Sequence, residues 1–460
     1  MPYDERAAVP VLPTQKDLDL ARRIAPIIRF AANEPFLPTK AGITVLTSPA
    51  VSPSAPLDVT FEPGVAKVVE YAIWWDWDIQ HLYELEHVWL KLDENDNIVG
   101  VDASAHGKLF PMHRADGSLP IEEGRVTLYS EPGKHAFHAA PEPIREREVW
   151  LTAMCTSMTS AGHVLVNHMF EDVLTGITPE DHRAVRRYLQ NRAFVPSYDF
   201  TQGFDLAGVD FVSWPDLHAF IAARVPQVLA QVKADQPLIK AVLLDSGDTM
   251  VDEATEVRDD TDHVLKADLI PGAKEMIQAL VKDGYRIALV ADGLVQSFAN
   301  VLGHHGISPH FEAEIISEVQ GVDKPAAKMF ESALEALGLT LDDAERVVMV
   351  GNHLGRDVKG ANGMGITSIW LDWAPRRHKV PADPTEHPDY TITNPSQLPV
   401  VLAEIECAMG RAAMNPHMAA ARRAVTERLG RGTCQMQSSK DDGSSRKPPF
   451  ASFSYKYIYV

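Results

Sequence analysis

The chain has 460 residues, of which 45% are hydrophobic, so it can bury separate cores for two or three domains. It carries 63 acidic against 43 basic residues, which gives a formal net charge of −20 at pH 7. This charge disfavours binding to nucleic acid or to an anionic membrane surface, because both need a basic face. No apolar run approaches the roughly 18–20 residues of a membrane span, so we expect no transmembrane segment.

Three cysteines, Cys155, Cys407 and Cys434, are few and widely separated along the chain. Their spacing argues against a disulfide framework and is typical of a reducing compartment. The first residues, Met1-Pro-Tyr-Asp-Glu-Arg6, do not form an apolar signal segment. We therefore expect a cytoplasmic protein, whose oligomeric state the sequence leaves open.

The composition of the chain predicts four segments. Residues 1–190 are expected to form a β-rich, metal-binding domain, and residues 191–237 a helical linker. Residues 238–408 alternate strand-like and helix-like patterns, which indicates an α/β domain. Residues 409–460 form a basic tail that becomes rich in glycine, serine and charge, and we expect it to be disordered.

Two carboxylates are predicted to share one face of a strand in the first domain. Glu84 and Glu86 are two residues apart in a buried-looking strand, so they repel each other unless a cation or a proton intervenes. His81 and an acid from the preceding turn, Asp76 or Asp78, complete an oxygen-rich set with one imidazole. Such a set suits Mg²⁺, Ca²⁺ or Mn²⁺ better than a structural zinc ion. The simpler interpretation is a strand whose carboxylates face solvent.

This passage distantly resembles the necrosis-and-ethylene-inducing-like cytolysins. Those proteins carry a Gly-His-x-His-Asp-Trp-Glu segment, followed by a strand and a Ser-Ala-His-Gly turn. The matching positions here are His81, Glu84, Glu86 and Ser104-Ala-His-Gly107. The resemblance, which covers about residues 64–170, implies a β-sandwich that binds a divalent cation. It does not imply toxin activity.

The most informative stretch lies in the α/β domain, at Ile239-Lys-Ala-Val-Leu-Leu-Asp-Ser-Gly-Asp-Thr249. A continuous apolar run that ends in an acid and a glycine is typical of a buried parallel strand that delivers a carboxylate to the edge of a sheet. At such an edge, Asp245 can attack phosphorus as a nucleophile or hold a divalent cation. The alternative is a buried strand followed by an ordinary polar turn.

Three further signals follow Asp245 in order. They are a second apolar strand that ends in Ala-Asp-Gly within 285–293, Lys324 before a proline within 321–330, and a third strand with a glycine turn within 347–361. Strands that alternate with helices predict a doubly wound parallel sheet, whose strand ends converge on one crevice. An acid, a lysine and a second acid are therefore expected to meet there.

This ordered set resembles the haloacid dehalogenase superfamily of hydrolases over about residues 238–408. The resemblance implies that Asp245 forms a phospho-aspartyl intermediate and that Lys324 neutralises the phosphoryl oxygens. It also implies that Asn352 and Asp357, together with Asp245, hold Mg²⁺. We expect the substrate to be contacted by Asp292, Gly293 and Thr249.

Three positions depart from the pattern of that superfamily. The aspartate that usually serves as general acid and base, two residues after the nucleophile, is replaced by Gly247, so the next acid, Asp248, becomes the candidate for that role. The usual hydroxyl residue of the second strand is replaced by Ala291. The first acid of the final motif is replaced by Asn352, which offers an oxygen but no charge.

Short connections predict a core without a cap domain. Only about twenty residues separate Thr249 from Pro271, which suits a turn and a hairpin. The leading hypothesis is a Mg²⁺-dependent phosphatase that acts on a phosphorylated small molecule or a larger phospho-substrate. The alternative is a metal-dependent recognition protein whose hydrolase-like core is weakened. Dehalogenation, which also uses an aspartate nucleophile, is a third hypothesis.

Overall fold

The computed structural model describes residues 12–166 and 169–414. Helices in chain order are α1 (Gln15–Ile24), α2 (Glu142–Arg145), α3 (Glu148–Cys155), α4 (Pro179–Gln190), α5 (Trp214–Asp235), α6 (Ala273–Lys282), α7 (Val295–His305), α8 (Ser317–Gln320), α9 (Ala327–Ala336), α10 (Lys359–Gly363) and α11 (Leu398–Met414). The part of the expected tail from residue 415 onward lies outside the described residues, and its first residues belong to α11.

Strands are more numerous than helices in the first half of the chain. In chain order they are β1 (Ile27–Phe30), β2 (Lys40–Leu46), β3 (Ala50–Val51), β4 (Asp58–Val59), β5 (Lys67–Trp77), β6 (His81–Leu92), β7 (Ile98–Ala105), β8 (Lys108–Pro111), β9 (Ile121–Glu122), β10 (Arg125–Ser130), β11 (Phe137–His138), β12 (His163–Val164), β13 (Gln202–Asp205) and β14 (Asp210–Ser213). Those of the second half are β15 (Ala241–Leu244), β16 (Val251–Arg258), β17 (Val264–Leu269), β18 (Ile287–Ala291), β19 (Ala313–Ile316), β20 (Val347–Gly351), β21 (Thr367–Leu371) and β22 (Tyr390–Ile392).

The described chain divides into two compact units. The first unit contains residues up to 177 and residues 185–234, and the second contains residues 178–184 and 235–414. Residues 191–237, which we expected to be a helical linker, differ from that expectation because they contain β13 and β14 before α5. Each of these strands has only four residues, which is too short for an alternating pattern to be visible in the sequence.

The first unit is built on two main sheets. One has the order β14-β2-β5-β6-β7-β8, with β12 against β6, and the other has the order β11-β10-β1-β13, with β9 against β10. The long hairpin of β5 and β6 places Trp75 opposite Glu84. Trp74, Trp75 and Trp89 are fully buried, so these tryptophans belong to the core of the unit and not to its surface.

The second unit contains a six-stranded sheet in the order β19-β18-β15-β20-β21-β22, and every neighbouring pair is parallel. Alternate residues of β15 enter two different apolar clusters. Val242 and Leu244 pack with side chains of α6, α7 and α11, whereas Ala241 and Leu243 pack with side chains of α9. Helices therefore cover both faces of a parallel sheet, which confirms the predicted α/β doubly wound core.

The connection after β15 is a two-stranded hairpin of β16 and β17, as the spacing predicts. The chain inserts no domain between β15 and α6 or between β18 and α9, so the core is capless within the part of the chain that the structure describes. Among these same described residues, no helix combines the length and the apolar character needed to cross a membrane.

Candidate functional sites

The carboxyl ends of three adjacent strands carry the polar residues of the candidate active site. Asp245 follows the central strand β15, Asp292 follows β18, and Asn352 follows β20. Lys324 comes from the segment between α8 and α9, and Asp357 from a π-helical turn that follows β20. Parallel strands point their carboxyl ends to the same edge, which is why residues so far apart in sequence meet there.

Lys324 lies between two carboxylates. Its Nζ is 2.7 Å from Oδ1 of Asp245 and 2.6 Å from Oδ1 of Asp357, and it also donates to the carbonyl oxygen of Val290 at 2.8 Å. All three ionisable side chains are buried. The structure thus brings together the acid, the lysine and the second acid that the sequence placed in one crevice.

Burial and charge act in opposite directions on these groups. Burial alone would lower the pKa of Lys324, but the charges of Asp245, Asp357 and Asp292 raise it above its usual value, so the ammonium is retained. Burial raises the pKa of Asp357 to about 7, although the charge of Lys324 lowers it and that of Asp245 raises it further. The site therefore holds more negative charge than its one ammonium can balance, which favours the binding of a further cation.

Local contacts fix the two acids in place. The second oxygen of Asp245 accepts a hydrogen bond from the hydroxyl of Thr249 at 3.1 Å, and that of Asp357 accepts one from the N–H of His353 at 2.9 Å. A Cβ at Gly351 would lie 2.2 Å from Cγ of Asp357. Glycine at this position is thus required by the close approach of the Asp357 side chain.

The donor atoms present fit Mg²⁺. Asp245, Asp357 and Asn352 offer side-chain oxygens, which are the ligands that this hard cation prefers. Asn352 is buried, and its side-chain nitrogen has no hydrogen-bond partner among the described residues. Its backbone carbonyl accepts from Nε1 of Trp370 at 2.9 Å, so the backbone beside the amide is held.

Both carboxylate oxygens of Asp248, the candidate general acid, have partners in the structure. It is completely buried; one oxygen accepts a hydrogen bond from Arg376 and the other from Nε of Arg377 at 2.7 Å. The first oxygen also accepts from the N–H of Glu253 at 3.3 Å. Because both oxygens are paired with arginines in a completely buried side chain, these contacts favour an ion-paired anchor of the turn after β15 over a proton donor. No local pattern predicts the two arginines, which lie well over one hundred residues away in the chain.

The residues expected to contact the substrate have partners within the chain. Oδ1 of Asp292 accepts from the N–H of Lys324 at 2.9 Å, and Oδ2 lies 3.2 Å from Nη1 of Arg356. The N–H of Gly293 donates to Oγ of Ser317 at 3.0 Å. Asp292 and Gly293 line an open cavity of about 540 Å³ together with Ser317. Ser317, which the sequence analysis did not single out, brings a hydroxyl near the strand that ends in Ala291.

A second acidic cluster lies in the first unit, at the turn between β5 and β6. Ligand atoms of Asp78, His81 and Glu84 all lie within 4.8 Å of one another. Nδ1 of His81 is 2.8 Å from the carbonyl oxygen of Tyr83, whereas its Nε2 lies 3.9 Å from Asp78 and 3.7 Å from Glu84. Lys134 contributes an ammonium that contacts both oxygens of Asp78 at 2.8–2.9 Å.

Two residues predicted for this cluster lie elsewhere. Asp76 is bonded to Arg224 and to Nε1 of Trp74, so of the two acids given as alternatives Asp78 is the one that lies in the cluster. The physical reason is that β5 extends through Trp77, which leaves Asp76 on the strand and Asp78 in the turn.

Glu86 is also outside the cluster of mutually close ligand atoms. Its carboxylate accepts a hydrogen bond from the hydroxyl of Ser104. Burial raises the pKa of Glu84 well above its usual value, and the charges of Glu86 and Asp78 raise it further.

Comparison with known proteins finds a family match in the part of the chain that contains the α/β sheet. The haloacid dehalogenase-like hydrolase family matches residues 183–365, which confirms the resemblance inferred for this part. A glyceraldehyde 3-phosphate phosphatase from Pyrococcus furiosus is 31% identical over 134 residues, which cover 29% of this chain and 54% of that protein. A phosphoserine phosphatase from Thermus thermophilus is 31% identical over 124 residues, which cover 27% of this chain and 47% of that protein.

The chain spans about half the length of the curated relatives it matches. A solved structure of a HAD phosphatase from Thermococcus onnurineus covers 35% of this chain and 97% of its own chain, with 20% identity and a TM-score of 0.30. The family match lies outside residues 64–170, so the resemblance of that region to cytolysins stays a prediction.

Proposed function

Residues 183–365 of this chain are a haloacid dehalogenase-like hydrolase domain, and from this premise we propose that the protein is a Mg²⁺-dependent phosphatase acting on phosphate monoesters. The observation that carries the proposal is the contact of one buried ammonium, that of Lys324, with Asp245 and Asp357. The names of the two curated relatives support phosphoryl transfer over dehalogenation. The substrate is a phosphorylated small molecule or a larger phospho-substrate that enters an open crevice.

In the proposed reaction, an oxygen of Asp245 attacks phosphorus, and the bond between phosphorus and the ester oxygen breaks. Water then attacks the phosphorus of the phospho-aspartyl group, which releases inorganic phosphate and restores the carboxylate. The hydroxyl of Thr249 and the ammonium of Lys324 each hold one oxygen of Asp245 and so orient it. Lys324 also offsets the negative charge of the incoming phosphate.

Asp245, Asn352 and Asp357 are the residues that would hold Mg²⁺. When bound, the ion would supply positive charge against the repulsion between a phosphate dianion and a carboxylate. This charge adds to that of Lys324, which is already shared between two acids.

The test is the substitution Asp245→Asn, assayed with p-nitrophenyl phosphate in the presence of Mg²⁺ or of EDTA. We expect the parent to need Mg²⁺ and the variant to lose turnover. The control is Asp268→Asn, because Asp268 is an exposed acid on β17 of the same unit. Equal rates in the parent and in Asp245→Asn would end the proposal.

We also propose a second function, the binding of a divalent cation (Ca²⁺, Mg²⁺ or Mn²⁺) by Asp78, His81 and Glu84. The observation that favours it is the orientation of His81. When Nδ1 carries the proton and donates it to the carbonyl oxygen of Tyr83, the lone pair of Nε2 faces the carboxylates of Asp78 and Glu84. A cation bound between these three groups would offset their mutual repulsion.

Metal analysis tests this second site on the full-length protein. In the Asp245→Asn background, which weakens the other site, Glu84→Gln should lower the bound metal by one equivalent. Asp76→Asn is the matched control, since Asp76 is bonded to Arg224 away from the cluster. No stoichiometric metal, or metal content unaffected by Glu84→Gln, would contradict the proposal.

A further inference from the structure

Gly247 stands two residues after Asp245, at the position where the haloacid dehalogenase pattern places the general acid and base. Its φ lies outside the left-handed region, so the backbone itself does not require glycine. A Cβ at this position would lie 1.9 Å from Oε1 of Glu253 and 2.8 Å from its Cδ. The volume into which a side chain of residue 247 would project is therefore already filled by the carboxylate of Glu253.

The hairpin places Glu253 at this position. An isolated parallel β-bridge joins Gly247 to Val251, the first residue of β16, so the chain forms a tight loop immediately after the nucleophile. The N–H of Glu253 then donates to Asp248 at 3.3 Å. Arg377 binds Oε2 of Glu253, which leaves Oε1 as the oxygen that faces Gly247.

We propose that Glu253 is the general acid and base of this phosphatase and delivers its carboxyl group from β16 into the space beside Gly247. This inference rests on the function proposed above. In the first step, the proton of the Glu253 carboxyl goes to the ester oxygen as the P–O bond breaks. In the second, the carboxylate takes a proton from the water that attacks the phospho-aspartyl group, which restores the carboxyl for the next turnover.

The surroundings of Glu253 agree with this role. Burial raises the pKa of Glu253, the charge of Arg377 lowers it, and the charges of Asp248, Glu256 and Asp245 raise it, with a net upward shift. The carboxyl group therefore keeps its proton to a higher pH than an ordinary glutamate. Its side chain remains about one-third exposed, so a substrate can reach it.

The test compares Glu253→Gln with the parent on two substrates. p-Nitrophenolate leaves without protonation, whereas the alkoxide of glycerol 2-phosphate needs a proton. We expect kcat/KM for glycerol 2-phosphate to fall by roughly 100-fold or more, and that for p-nitrophenyl phosphate by less than about 10-fold. A burst of p-nitrophenol should precede a slow steady state, because water is no longer activated. Glu275→Gln, which makes the same change at an exposed position on α6, is the control and should behave as the parent.

A relocation experiment separates a catalytic role from a structural one. Glu253→Ala removes the carboxyl group and all three of the atoms nearest to a Cβ at Gly247, so Gly247→Asp can then be added. The kcat/KM for glycerol 2-phosphate should be at least about tenfold higher in the double variant than in Glu253→Ala. A structural role of Glu253 predicts no such recovery.

The outcomes distinguish this inference from the proposed function. If Asp245→Asn is as active as the parent, the phosphatase mechanism itself fails. If Asp245 is essential but kcat/KM of Glu253→Gln falls equally for both substrates, or does not fall for either, the mechanism stands and the role of Glu253 is overturned.

Discussion

The substitution Lys324→Met tests the electrostatic organisation of the hydrolase domain. It removes the ammonium that contacts Asp245, Asp357 and the carbonyl oxygen of Val290 at 2.6–2.8 Å, and it leaves two buried carboxylates uncompensated. Removing one partner of a buried ion pair typically costs about 3–5 kcal/mol. Because about 1.4 kcal/mol is a factor of ten, amide exchange in the sheet should become roughly 100- to 3,000-fold faster at pH 8.

Hydrogen exchange of peptides from β15 and β20 is the suitable assay, since it reports on this unit alone. The pH dependence of the stability provides a second check, on the direction of the effect. The pKa of Asp357 in the fold is about 7, above its value in the unfolded chain, so its proton stabilises the fold at low pH, and this stabilisation is lost as the pH rises from about 4 to 7. Without the charge of Lys324, which lowers it, the pKa of Asp357 rises further.

The loss of stability in Lys324→Met should therefore be smaller at pH 5.5, where Asp357 is protonated, than at pH 8. Lys328→Met is the matched control. Among the described residues, Nζ of Lys328 donates to the backbone carbonyl oxygen of Gln320 and pairs with no carboxylate. If amide exchange is unchanged at both pH values, or if the loss of stability is larger at pH 5.5, Lys324 does not stabilise the fold by balancing the charges of Asp245 and Asp357.

Two further substitutions probe the support of the site. Gly351→Ala should displace Asp357, and both the apparent affinity for Mg²⁺ and kcat should fall by about tenfold or more. Titration of the activity with Mg²⁺ measures both effects. The control is Gly363→Ala, which should change neither, because a Cβ there meets nothing within 4 Å. Arg377→Ala removes the cation that lowers the pKa of Glu253, so the limb of the pH–rate profile that depends on Glu253 should move to higher pH. A profile that moves to lower pH would contradict that assignment.

The central part of the fold could be predicted because its signals are local. The apolar strand before Asp245 and the alternation of strands and helices predict a parallel sheet, and the geometry of such a sheet brings Asp245 and Asp357 to one edge. Lys324 meets both acids there, as its order in the chain suggested.

Other features could not be predicted because they depend on contacts across long stretches of chain. Arg376 and Arg377 return from beyond β21 to bind Asp248, and no local pattern shows this. The place of Glu253 depends on the tight return of β16 beside Gly247. Similarly, the choice between Asp76 and Asp78 depended on where β5 ends, which is the least predictable property of a strand.

The most direct measurement of the central claim is mass spectrometry of the acid-quenched enzyme during turnover of p-nitrophenyl phosphate. We expect one phosphoryl group on the peptide that contains Asp245, none in Asp245→Asn, and a larger amount in Glu253→Gln, in which hydrolysis of the intermediate is slowed. Turnover by Asp245→Asn at the rate of the parent, or phosphorylation of a residue other than Asp245, would contradict the assignment of Asp245 as the nucleophile.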